Sequence, residues 1–125
     1  MCTQKPVKPV PFSSVADRLS AALGDYAEQA AFEVETGREF PFVCDASAFL
    51  VRPEGRELVI VAFDGKNQLQ KVAASIYRLA ELVGADSLRV HTRRRGELRY
   101  LQKLGYPFFL SEQRDDEFVL RCQVG

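Results

Sequence analysis

Residues 57–92 read ELVIVAFDGKNQLQKVAASIYRLAELVGADSLRVHT, and this stretch decides the fold. Leu58 to Phe63 is an unbroken apolar run, the longest in the chain. Such a run suits a strand covered on both faces. From Asn67 to Val83 the apolar residues are Leu69, Val72, Ala73, Ile76, Leu79, Ala80 and Val83. That i, i+3, i+4, i+7 spacing predicts an amphipathic helix, and Gly84 stops it. Ser87 to His91 then alternates, with Leu88 and Val90 on one side and Arg89 and His91 on the other. A strand, a long helix and another strand form a crossover, so the two strands run parallel.

Working outward, Cys44 to Arg52 reads as the strand before Leu58, and Pro53-Glu54-Gly55-Arg56 between them is turn chemistry. Ser14-x-x-Asp17 resembles a capping box. After it Val15, Leu19, Ala22, Leu23, Tyr26, Ala30 and Val34 recur at helical spacing. Gly24-Asp25 interrupts them, which predicts one bent helix or two consecutive ones, closed at Gly37. Residues 1–12 hold Pro6, Pro9 and Pro11 and read as an extended arm; 13–125 read as a single domain. Downstream come a helix from Gly96 to Leu104, a strand from Pro107 to Leu110, a turn over Gln113–Asp116, and a last strand alternating Phe118, Leu120, Cys122 and Val124. The expected order is α(α)-β-β-α-β-α-β-β, an α/β (α+β) mixed sheet with helices on its faces.

The chain has 125 residues, 46% hydrophobic and 27% charged, which fits a folded domain and excludes a disordered one. No stretch reaches the roughly 18–20 apolar residues of a membrane helix. The N-terminus lacks an apolar segment of the signal-peptide kind, so a cytoplasmic protein is expected. Three cysteines make an odd number without a C-x-x-C pair, which gives no zinc or redox motif and no metal site. Cys44 and Cys122 read as small core residues; a cysteine nucleophile acting with His91 is the alternative.

Net charge is zero, which excludes a protein that binds polyanions over its whole surface. The distribution is uneven. Residues 89–103 set Arg89, Arg93, Arg94, Arg95, Arg99 and Lys103 against Glu97 alone, while residues 25–60 are acidic. Adjacent arginines entering a helix suit phosphate. Arg95, Arg99 and Lys103 have the spacing of one basic stripe. The alternatives are a solvated face paired with the acidic segment, within the chain or across a homodimer, and nucleic acid, for which no RNP, helix-turn-helix or zinc-finger pattern speaks.

The element order, together with Leu58–Lys66, Leu88–Thr92 and Leu101-Gln102-Lys103-Leu104-Gly105-Tyr106, resembles the GNAT (Gcn5-related N-acetyltransferase) fold over about Leu58 to Val124. His91-Thr92-Arg93-Arg94-Arg95-Gly96 is also similar to small GNAT-like proteins of bacteriophages. The resemblance implies acetyl-CoA as cofactor and acyl transfer to an amine. It places the pyrophosphate at Phe63, Asp64, Gly65, Lys66 and Asn67, where the following helix offers its free N–H groups. It brings Arg93, Arg94 and Arg95 toward the nucleotide end. Against the family's [Q/R]-x-x-G-x-[G/A] loop only Gly65 matches, with Ala62 and Asn67 at the other positions. Asp64 must turn away from a phosphate. The family's tyrosine acid falls on Leu101, with Tyr100 one residue earlier. Candidates by type for the base are Asp45, Glu57, Asp64 and His91. The implied proton carriers are Tyr100 and His91. The departures equally suit a phage or bacterial accessory protein that keeps the fold and binds a protein partner.

Overall fold

The structure, a computed structural model, describes residues 7–44, 46–64, 69–92, 96–115 and 117–124. In chain order the elements are β1 (Val7–Pro9), α1 (Ala16–Leu23), α2 (Ala27–Glu35), β2 (Phe40–Cys44), β3 (Ser47–Glu54), β4 (Glu57–Asp64), α3 (Leu69–Leu82), β5 (Ser87–Thr92), α4 (Glu97–Lys103), β6 (Phe109–Arg114) and β7 (Glu117–Gln123). The strands form one sheet in the order β1-β2-β3-β4-β5-β7-β6. Among the described residues only β4 and β5 pair in parallel, as the crossover requires.

Two strands exceed the expected order. Val7–Pro9 pairs with Phe42–Cys44, and Phe40–Cys44 pairs with Ser47–Val51. Cys44 therefore ends β2, where the sequence reading had it open the next strand. Proline hides both strands from a reading by composition. Val10 N–H donates to the Pro41 carbonyl at 3.1 Å. The Pro41 nitrogen thus faces the β1 side, where the ladder ends at Pro9. The Val10–Pro41 pair keeps that one bond and lacks the reciprocal one, so the pairing stops there. Ser14 does not cap α1. Its hydroxyl donates to the Pro11 carbonyl at 2.7 Å inside a short 3-10 turn, and Val15 stands at the cap.

Gly24 begins a 3-10 turn between α1 and α2, so the N-terminal helical stretch is two consecutive helices. The ends of α2, α3 and α4 share one device. Gly37, Gly84 and Gly105 donate to the carbonyls of Val34, Glu81 and Gln102, and the next residues donate to those of Glu33, Ala80 and Leu101. This double bond pattern needs a left-handed residue, and the three glycines have φ of 78°, 75° and 96°.

Both faces of the sheet are covered, as the run at Leu58 demands. Phe49, Val51, Leu58, Ile60, Leu88, Leu120 and Cys122 pack against Val72, Ile76 and Ala80 of α3 and Leu101 of α4. Ala48, Leu50 and Ala62 pack on the other face against Leu19 and Leu23 of α1 and Ala30 of α2. Phe49 is fully buried and stacks on Phe42 and Phe63, with ring centroids 5.8 and 6.5 Å away. Cys44 and Cys122 are buried in the α3/α4 core, and burial pushes the Cys122 thiol up from its ordinary value. His91 lies on the opposite face, so the sheet separates it from both thiols.

One irregularity falls on the central strand. Leu50 pairs with Ala62, but Val51 pairs with Ile60. Val61 is the extra residue of a β-bulge. Val61 and Ala62 therefore both turn toward α1, and Phe63 returns to the α3 side.

Candidate active site

β4 and β5 pair from Glu57 and Ser87 to Ile60 and Val90, and then part. β4 continues to Asp64 and β5 to Thr92. Among the described residues Val61 has a register partner on neither side. A gap opens between the strands.

Toward α3 and α4 the gap meets a small cavity lined by Phe63, Tyr77, Val90, Leu101, Tyr106 and Phe108, with Glu97 as its carboxylate. A cleft of about 370 Å³ passes between the strands. Ile60, Phe63 and Val90 line it from one face of the sheet, and Val61, Ala62 and His91 from the other. A neighbouring hollow of about 420 Å³ lies beside Gly24, Tyr26 and Arg52. The two share Ala21, Ala22, Val61, His91 and Glu117 as walls. The small residues of α1 leave this side roomy.

The structure sorts the expected site residues. His91 reaches the cleft, and its Nδ1 lies 3.0 Å from Glu117 Oε1, with 28% of the His91 side chain exposed. Phe63 lines the gap. Asp64 turns to α1, where it accepts from Arg18 Nε at 3.1 Å, and Arg18 also donates to the Ala46 carbonyl. Glu57 is committed elsewhere, to Arg89, Arg121 and Ser87. On α4 it is Leu101 that faces the cavity, while Tyr100 is 39% exposed. Gly65, Lys66, Asn67, Arg93, Arg94, Arg95 and Asp45 lie outside the described residues. Glu117 escaped the sequence reading, and Glu97 entered it only as a charge. Glu97 accepts from the Thr92 hydroxyl at 2.7 Å, closing the end of β5 onto the start of α4.

The paired half of the strands carries a different chemistry. Arg52 donates to Glu54 at 2.6 Å and to Glu39 at 2.8 Å. Arg89 donates to Glu54 and Glu57, both at 3.0 Å, and Arg121 to Glu57 at 3.1 Å. Burial pushes Glu54 upward, but the bonds from Arg52 and Arg89 outweigh it and hold the carboxyl below its usual value. Arg89 stands opposite Arg121 in the register, and Glu57 between them relieves the repulsion. Arg89 is thus spent on strand carboxylates and not on the acidic helices. Arg99 and Lys103 stay exposed on α4.

The sequence matches no protein-family model, and no curated protein matches it. Solved structures do match. An IAA acetyltransferase from Bacillus cereus superimposes with TM-score 0.72 at 15% identity, covering 95% of this chain and 99% of that one. A Bacillus subtilis acetyltransferase solved in complex with CoA gives 0.67 at 15%, covering 98% and 100%. An acetyltransferase of the GNAT family from Desulfovibrio desulfuricans gives 0.64 at 11%, covering 96% and 99%. The chain has the GNAT acetyltransferase fold. At these identities the likeness concerns the fold, and the chemistry rests on the cleft. Among the described residues no helix is long and apolar enough to cross a membrane, and no three His, Cys, Asp or Glu side chains converge on a metal position.

Proposed function

We propose that the chain transfers an acyl group, acetyl in the simplest case, from acyl-CoA to an amine. The observation that carries this reading is the gap beyond Ile60 and Val90, which joins the two faces of the sheet beside an unpaired bulge. A thioester entering from the α3/α4 side and an amine entering from the α1/α2 side meet there, beside Val61 and His91. Holding them together supplies most of what aminolysis needs. His91 takes the proton from the amine, whose nitrogen attacks the carbonyl carbon. The C–N bond forms, the C–S bond breaks, and the sulfur takes a proton from water. Gly65, Lys66 and Asn67 are assigned the pyrophosphate and Arg93 to Arg95 the nucleotide phosphates. This assignment rests on the resemblance stated above.

Titration calorimetry with acetyl-CoA and desulfo-CoA, followed by a CoA-thiol release assay over a panel of amines, tests the reading. No binding at millimolar ligand sinks it. His91→Gln is expected to slow turnover about 100-fold with acetyl-CoA affinity unchanged. A second reading is favoured by buried, apolar Leu101 at the α4 position that faces the cavity. In it the chain is a phage or bacterial accessory protein that binds a partner and catalyses nothing. CoA binding without turnover of any amine supports that one.

A further inference from the structure

We propose that Glu117 is the positioning residue of the site. It holds the proton of neutral His91 on Nδ1 and leaves Nε2 as the basic nitrogen. The proposal rests on the acyl-transfer reading for its purpose, but its geometry stands alone.

A carboxylate at neutral pH only accepts hydrogen bonds. With Glu117 Oε1 3.0 Å from His91 Nδ1, the ring nitrogen must be the donor. The lone pair of the neutral ring then sits on Nε2, the nitrogen that does not face Glu117. The two side chains are 26 residues apart in sequence, and the sheet brings them together. His91 is opposite Val119 across β5 and β7, and Glu117 is two residues along, on the same face and diagonal to it. Both groups stand on strands, which fix a site more closely than loops do.

Rival groups around the ring are engaged elsewhere. Asp64 is held by Arg18, Glu97 by Thr92, and Glu112 on β6 by Arg114. Arg52, across the hollow, is held by Glu39 and Glu54. Glu117 is therefore the carboxylate that contacts His91, and once the amine has given up its proton it faces the imidazolium as counter-charge. The arrangement follows the base-and-orienter logic of hydrolytic triads, with an amine in place of the hydroxyl.

The chain has a single histidine, so ring-nitrogen NMR reads this site without overlap. In the full-length protein, at a pH where the ring is neutral, the wild type is expected to show the Nδ1–H tautomer. Glu117→Ala is expected to shift the ring toward Nε2–H and to lower kcat about 100-fold, leaving KM for acetyl-CoA within twofold. Glu117→Gln, whose amide oxygen still accepts, is expected to restore the tautomer and part of kcat. Circular dichroism checks that the variants fold. An Nε2–H tautomer in the wild type, or one unchanged by Glu117→Ala, overturns the proposal. The expected tautomer in a protein that turns over no acyl-CoA supports the hold on the ring and sinks the acyl-transfer reading.

Discussion

Over Glu57–Ile60 and Ser87–Val90 the two central strands are bonded to each other, and over Val61–Asp64 and His91–Thr92 they stand apart. Both halves have apolar cover on the α3/α4 side. They differ in how polar groups are satisfied. At the paired end carboxylates take several arginine or serine donors, two at Glu54 on β3 and three at Glu57. In the parted half part of the polar surface meets the cleft, as at His91. Cross-strand ion pairs brace the floor. Above it the cleft leaves room for a ligand.

The comparison breaks first where the floor is apolar. Leu88→Ala, in the paired half, is expected to cost about 2–5 kcal/mol in urea denaturation. His91→Ala in the parted half is expected to cost less than about 1 kcal/mol while removing turnover. Equal losses would erase the distinction between floor and cleft.

Next comes the buried end of the charge ladder. Glu39 is almost fully buried, accepting from Tyr26 at 2.6 Å and from Arg52. Arg52→Met strands that carboxylate. Because about a third of Arg52 is exposed, the expected cost is roughly 2 kcal/mol, below the full value for a buried pair.

A pH scan sharpens the same corner. Burial, and then the bond to Glu39, push Tyr26 up to about 12 from 10.0. The fold favours the neutral phenol, so this contribution is complete below pH 10 and is lost as pH rises toward 12. Tm is expected to drop through that window, and Tyr26→Phe to flatten the drop. The smallest effect belongs to Arg18–Asp64, whose side chains are 39% and 44% exposed. A double-mutant cycle is expected to give below about 1 kcal/mol, vanishing in molar salt. A larger coupling would make this pair part of the floor.

The middle of the fold was legible because its signals are local. The helix after Asn67 repeats every three to four residues, and Gly84 and Gly105 announce its end and that of α4. β1 and β2 were not legible, since Pro9 and Pro41 argue against strands unless one knows which way each nitrogen points. The bulge was hidden for another reason. In Leu58–Phe63 every residue is apolar, so a shift of one position changes no letter of the pattern. Of the site, His91 was visible as the only histidine. Glu117 was not, because its link to His91 spans 26 residues and exists only through the β5–β7 register.

The extra residue at Val61 also acts as a spacer in an otherwise alternating strand. Without it Ile60 would be followed directly by Ala62, and these two already pair with Val51 and Leu50. Ala62 would stay beneath α1, and Phe63 would stay on the α3 side against Phe49. In a library of single-codon deletions, position 61 should therefore spare the fold and be read out at the cleft.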